Sequence, residues 1–261
     1  MVRKFLLVTL AAVVTTLVVM GLAPAAKANI VAEPVVYTID GQPFEGYFAV
    51  NQNFGESQPL VLVVHDWNGL DDYEQRRTQM LAEQGYAAFA VDLYGQGVRP
   101  SNPAESREQS GALRSDRATM RARLRAGLAQ AQAQSGVDSS QVVAMGYCFG
   151  GAAVLEMARA GMDLDGFVSF HGSFETPEGQ DYSQTQGRIL VLHGSDDPAA
   201  PMADVAQLAA ELDEADVDFA MEIYGGVDHA FTVWSDADRY DGMADRKSWR
   251  ALMTFLGEVL G

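Results

Sequence analysis

The period of the apolar positions changes several times along the chain. Val35–Asp40 and Phe44–Val50 alternate apolar and polar residues, as a strand with one wet face does. Asp40-Gly41-Gln42-Pro43 supplies a tight turn between them, so the two runs predict a β-hairpin. Leu60–His65 reads LVLVVH, apolar without alternation and β-branched, which marks a strand buried on both faces. Ala87–Asp92, Gln141–Tyr147, Gly166–Phe170, Arg188–His193 and Ala220–Tyr224 are short runs of the same kind. Between them the period lengthens to that of a helix. One helix is expected from a cap at Asp71 or Asp72 to about Gln84, where Gly85 stops it. Others are expected over Leu113–Gln134, from Ala152 to Arg159, at about 202–214 and at about 245–259. Residues 94–111, rich in Gly, Pro, Ser and polar groups, read as a loop over a site. This alternation predicts an α/β fold: a doubly wound, mostly parallel sheet with helices on both faces and right-handed crossovers. No repeat, linker or low-complexity tract follows residue 29. Residues 29–261 are therefore expected to form a single domain, with its chemistry at the carboxyl ends of the strands.

Ahead of the hairpin the pattern is different. Met1-Val2-Arg3-Lys4 is basic, Phe5 to about Ala23 is apolar, and Ala26-Lys27-Ala28 has the small-x-small form that signal peptidase cleaves. Residues 1–28 read as a secretory signal peptide rather than an uncleaved anchor. The domain would then be exported, periplasmic or secreted, and free of the membrane once the leader is removed. The chain of 261 residues is 48% hydrophobic with a formal net charge of −17. Cleavage would leave 15 basic residues (18 less Arg3, Lys4 and Lys27) against 35 acids, a charge of −20. Such a surface repels nucleic acid and anionic lipid, so neither is an expected partner. The sequence does not specify an oligomer, and a monomer is the expectation.

Cys148 is the single cysteine, and it lies in Gly146-Tyr147-Cys148-Phe149-Gly150-Gly151 between a strand and a helix. A lone cysteine has no internal disulfide partner, which leaves a buried apolar side chain, an intermolecular link or a reactive thiol. The surroundings favour the last. Gly146-x-Cys148-x-Gly150 at a strand-to-helix turn has the form of the nucleophile elbow, with cysteine in the serine position. Side chains two residues to either side would collide in so sharp a turn, and the glycines remove them. Gly151, Ala152 and Ala153 let the helix pack close. The helix N-terminus favours thiolate over thiol, and the Phe149 N–H can donate to an oxyanion.

The order of the later strands supports this reading. The Arg188–His193 run leads into Gly194-Ser195-Asp196-Asp197-Pro198, and Ala220–Tyr224 leads into Gly225-Gly226-Val227-Asp228-His229-Ala230-Phe231. Elbow enzymes place nucleophile, acid and histidine in that order. His229 is the expected base, oriented by Asp196 or Asp197, between which spacing alone does not choose. His65, His171 and His193 also stand at strand ends and are expected to be hydrogen-bonded structural groups. No metal or cofactor is expected.

With these residues in place, the chain resembles the dienelactone hydrolase family from about residue 35 to 260. The stretches that carry the resemblance are YTIDGQPFEGYFAV, VVHDWNGLDDY, LAEQGYAAFAVDLYG, GYCFGG, LHGSDDPAAP and YGGVDHAFT. The resemblance implies the α/β-hydrolase fold with little or no cap and a Cys148-Asp197-His229 triad. The Gly194-x-x-Asp197-x-x-x-Pro201 match selects Asp197. It also implies a modulating acid at Asp66, where the family usually has Glu, and a second oxyanion N–H at Trp67. The family's two carboxylate-binding arginines have no counterpart in position, because Gln96 follows the DLY motif and Thr232-Val233-Trp234 follows the histidine. Tyr94, Tyr147, Phe231 and Trp234, with Trp67 and Phe149, are the candidates to line an apolar substrate pocket. The reading is an exported hydrolase of small esters or lactones. A non-catalytic binding protein on the same fold and an acyltransferase are the alternatives.

Overall fold

The Asp40-Gly41 turn joins β1 (Ile30–Ile39) to β2 (Gln42–Asn51) as an antiparallel hairpin, with Ile39 opposite Gln42. The structure, a computed structural model, describes residues 29–261, so the leader expected over residues 1–28 lies outside the described residues. β3 (Gln58–Val64), β4 (Ala87–Val91), β5 (Val137–Tyr147), β6 (Gly166–Phe170), β7 (Arg188–Gly194) and β8 (Phe219–Tyr224) complete one eight-stranded sheet in the order β1-β2-β4-β3-β5-β6-β7-β8. From β4 to β8 every neighbouring pair is parallel, and only the hairpin side is antiparallel. The central strands are apolar on both faces because helices cover both. α3 (Arg117–Gln132), α4 (Phe149–Arg159) and α5 (Met202–Glu214) pack on one face, and α1 (Asp72–Glu83) and α6 (Gly242–Val259) on the other.

Three local differences separate the structure from the sequence reading. The stretch 94–111 is not all loop, because α2 (Pro103–Ser115) occupies its second half. Asn102 caps this helix by accepting from the Ala104 and Glu105 amides, and Pro103 sits in the first turn, where its missing N–H costs nothing. The single helix expected over Leu113–Gln134 is broken at Asp116, whose side chain caps α3 by accepting from the Thr119 amide. β5 also starts at Val137, earlier than expected, through a bulge in its pairing with β3 between Pro59 and Leu60.

The elements that carry the site are seated by buried charge as well as by apolar packing. Glu156 of α4 is fully buried and takes Arg117 and Arg121 from α3 and Arg159 from its own helix. α4 is thereby tied to its neighbour along one side while its other residues pack on β5 and β6. Asp66, Cys148, His171, Asp197 and His229 all follow the carboxyl ends of β3, β5, β6, β7 and β8. The sheet order brings these ends together along one edge. Among the described residues no helix is long and apolar enough to cross a membrane.

Candidate active site

The turn from β5 into α4 has no spare volume. Cys148 is held at φ 53°, ψ −111°, a conformation that costs an L-residue on the order of 1–3 kcal/mol and persists only where its surroundings enforce it. A Cβ on Gly146 would lie 2.3 Å from the carbonyl carbon and oxygen of Gly150. A Cβ on Gly150 would lie 2.2 Å from the Val64 carbonyl oxygen and 2.6 Å from that of His65. The second clash is with another strand, so Gly150 lets the start of α4 lie directly on the end of β3. The Cys148 amide donates to the Phe170 carbonyl of β6 at 3.0 Å, which closes the turn from the other side.

The sulfur is half-buried and faces His229, whose Nε2 is 3.1 Å from Sγ. Nδ1 of the same ring is 2.7 Å from Asp197 Oδ2. Asp197 is buried, and its Oδ1 accepts from the amides of Ala199 at 2.8 Å and Ala200 at 3.3 Å. Asp196 is exposed and accepts from the Ser195 hydroxyl. The geometry therefore distinguishes two acids that spacing could not. Burial by itself would lower the His229 pKa. The hydrogen bonds to Asp197 and Cys148 outweigh it and push the imidazole up to about 10, so the ring readily takes up and holds a proton.

The two amides expected to serve an oxyanion both follow strand ends beside the cleft. Phe149 N–H opens α4, and Trp67 N–H follows β3, and neither donates to a protein acceptor among the described residues. The Trp67 peptide is fixed from behind. His65 Nδ1–H donates to the Asp66 carbonyl at 2.6 Å while its Nε2 accepts from the Leu93 amide at 3.1 Å. A trans peptide holds its N–H opposite its C=O, so pinning the Asp66 carbonyl aims the Trp67 amide. Buried Glu74 of α1 steadies the same loop by accepting from the amides of Asp66 and Asp71.

Asp66 shares the cleft with Cys148 but is not hydrogen-bonded to it. Its carboxylate accepts instead from the Asn68 amide at 2.6 Å. Burial raises Asp66 to about 7, and nearby Asp71 adds to this, against the Asn68 amide, His229 and Arg239.

The cleft over Cys148 measures about 590 Å³, and its walls include Trp67, Ser173, Val233, Arg114 and Arg239. Of the aromatic side chains expected to line it, Trp67 does so. Tyr94, Tyr147 and Phe231 do not, for all three are buried in the core. Tyr94 spends its hydroxyl on the Trp67 carbonyl, Tyr147 packs between Tyr73 and Phe170, and Phe231 packs against His171 and Tyr224. Trp234, 38% exposed, walls a neighbouring hollow of about 670 Å³ that shares Asp66, Asn68, Val233 and Ser235 with the cleft. The family's arginine positions stay without arginine, but the cleft holds two arginines from other places in the sequence. Gln96 bonds to Glu45 outside the cleft, yet Arg114 from α2 and Arg239 from the loop before α6 reach it from elsewhere in the sequence. Asp236 neutralises Arg239. Among the described residues no carboxylate pairs with Arg114, which bonds to the Ser173 hydroxyl and lies over the Phe149 ring. No group of three or more His, Cys, Asp or Glu among the described residues is arranged to hold a metal ion.

Comparison with known proteins gives a consistent result. The model of the dienelactone hydrolase family matches residues 44–260. A putative carboxymethylenebutenolidase of Synechocystis is 28% identical over 225 residues, covering 78% of this chain and 87% of the relative. Among solved structures, a dienelactone hydrolase-like promiscuous phosphotriesterase from metagenomic libraries is 32% identical with a TM-score of 0.83, covering 89% of this chain and 99% of the other. A putative dienelactone hydrolase of Klebsiella pneumoniae superposes with a TM-score of 0.78 at 21% identity, covering 87% and 98% of the two chains.

Two expectations follow from the geometry. Gly150→Ala places a methyl group against two backbone carbonyls, so the variant should lose about 3 kcal/mol or more of stability. Urea unfolding measures this, and a midpoint equal to wild type would show that α4 can move off β3. Asp66 has a folded pKa raised above its unfolded value. The stability it contributes is complete below about pH 4 and is lost as the pH rises through about 7. Asp66→Asn should therefore gain on the wild type between pH 4 and pH 8, by on the order of 2 kcal/mol. Parallel thermal melts at the two pH values read the difference, and a pH-independent offset would contradict it.

Proposed function

The chain belongs to the dienelactone hydrolase family and is a dienelactone-hydrolase-like hydrolase, and from that premise we propose that it cleaves small carboxylic esters or lactones through Cys148. The observation that carries this reading is the continuous contact from Asp197 through His229 to the sulfur, at a strained elbow that opens into a cleft. As Cys148 Sγ attacks the carbonyl carbon, its proton passes to His229 Nε2 and the carbonyl π electrons collect on oxygen. The Phe149 and Trp67 amides stabilise that oxyanion. When the tetrahedral intermediate collapses, the C–O bond breaks and His229 returns the proton to the leaving alkoxide. Water, deprotonated by the same imidazole, then attacks the thioester and releases the acid and the thiol. Asp197 keeps the ring in the orientation that presents Nε2 to sulfur and stabilises the imidazolium.

The cleft suits a small acyl group, and the hollow beside it offers room for a leaving group against Trp234. Among the described residues Arg114 lies without a carboxylate partner at the cleft wall, which supports a substrate carrying an oxygen-rich or anionic group. We also propose that residues 1–28 direct export and are removed, which places the hydrolase outside the cytoplasm.

The test uses the mature protein on neutral and anionic esters and lactones. A phosphotriester is included because one solved relative is named as a promiscuous phosphotriesterase. Cys148→Ala should lower kcat at least about 10³-fold while the fold is retained. Undiminished turnover in that variant, or none by the folded wild type on any substrate, would refute the mechanism. A binding protein gives the second result, and an acyltransferase gives products of added alcohols in preference to acid. For export, the chain secreted by an expressing bacterium should begin at Asn29 by N-terminal sequencing, and an intact Met1 terminus would overturn that part.

A further inference from the structure

The four histidines are held in different ways. His65 uses both nitrogens on backbone groups, and His193 bonds through Nε2 to the Ala200 carbonyl at 2.8 Å. His171 is fully buried, with its backbone at φ 38°. Its ring stands edge-on to His229, with centroids 5.2 Å apart and planes at 69°. Its Nε2 is 2.8 Å from Thr232 Oγ1. The same Thr232 oxygen is 2.7 Å from the Tyr73 hydroxyl, and Tyr73 in turn accepts from Arg77 Nε at 3.2 Å.

The direction of this chain is set at its far end. Arg77 is a cation with no acceptor atom. It is buried and ion-paired to Asp245, and its other contacts are donations, including one to the Thr232 carbonyl at 3.1 Å. With Arg77 donating to the Tyr73 oxygen, the Tyr73 O–H is directed to Thr232. With that order the Thr232 O–H donates to His171, which makes Nε2 the lone-pair nitrogen and leaves the buried Nδ1–H without a protein acceptor among the described residues. Reversing the order would leave the Tyr73 proton without this acceptor. Asp245 anchors the arrangement further by accepting from Trp234 Nε1 and the Tyr240 hydroxyl, both at 3.2 Å.

We propose that Arg77, Tyr73 and Thr232 fix His171 as the neutral Nδ1–H tautomer, and that His171 is a positioning residue for His229. The ring of His229 has Asp197 on one nitrogen and sulfur on the other, and His171 fills the space against it. A neutral neighbour leaves His229 free to hold the proton it takes from the thiol. A second imidazolium there would drive that proton off. The charged and titratable groups around His171 are His229, His193, Arg77 and the phenols of Tyr73 and Tyr147. None is a carboxylate, and burial followed by the nearby His229 holds His171 well below the usual imidazole range. The groups that face His229 are Asp197, Cys148, His171 and, through space, Asp66 and His193.

This inference rests on the proposed role of His229, but two of its readouts need no turnover. Nitrogen-15 spectra of the wild-type protein should show His171 with a protonated Nδ1 and a bare Nε2 near pH 7. The opposite tautomer would overturn the proposal whatever the enzyme's substrate. Thr232→Val removes the donor and keeps the shape. The rate of Cys148 alkylation by iodoacetamide should then follow a pH profile displaced upward by at least half a unit. On an ester substrate kcat should fall at least fivefold with KM within twofold, and Thr232→Ser should restore both. A folded Thr232→Val with the wild-type alkylation profile would overturn the proposal. If that variant does not fold, Tyr73→Phe breaks the chain one step earlier and is held to the same alkylation test. Absence of any ester turnover alongside a displaced profile would count against the hydrolase reading and leave the positioning role standing.

Discussion

The close approach of α4 to the end of β3 governs the rest of the site. Gly150 lies so near the Val64 and His65 carbonyls that no side chain fits between them. That contact sets three things together. It forces Cys148 into its positive-φ turn, it brings the Phe149 amide alongside the loop that carries the Trp67 amide, and it points the sulfur away from the packed strand toward the last loops of the sheet. The strain at one residue is sustained by a helix that Glu156 ties to α3 and by a strand buried on both faces.

Around this turn, the buried polar groups are arranged so that charge collects at one place. His65 and His193 are spent on backbone carbonyls and, like His171, are held below the usual imidazole range by burial. His229 alone is raised, because Asp197 and Cys148 face its two nitrogens. Asp66 and Glu74 are the reverse case, carboxyls whose burial favours the neutral form. Four imidazoles at four strand ends thus differ in state through their immediate partners, and the residue type alone says little about which one moves protons.

Much of this was legible in the sequence. Apolar runs placed β3 to β8, with ends off by a few residues; the strands between β4 and β7 in the sheet are buried on both faces and so carry few polar positions, while β8 at the edge is partly exposed. The elbow was legible because its glycines are steric necessities. α2 was missed because its buried residues are Ser106, Ser110 and Leu113, which leave no apolar stripe to detect, although Asn102-Pro103 was a usable start signal. The pocket aromatics were misplaced for a different reason. Side chains of adjacent strand residues point to opposite faces, so Tyr147, next to Cys148, enters the core rather than the cleft.

The sequence by itself determined the α/β alternation, the turn that exposes Cys148, and the order in which Asp197 and His229 follow it. These depend on local sterics and on the period of burial, which the order of residues carries directly. Spacing alone left Asp196 and Asp197 open until the family match chose Asp197, and only the tertiary structure decided that Arg114 and Arg239 reach a cleft where no nearby motif held an arginine, and that a chain from Arg77 ends behind His229. Those contacts join residues tens of positions or more apart, and their partners are chosen by the packing of the whole sheet and its helices.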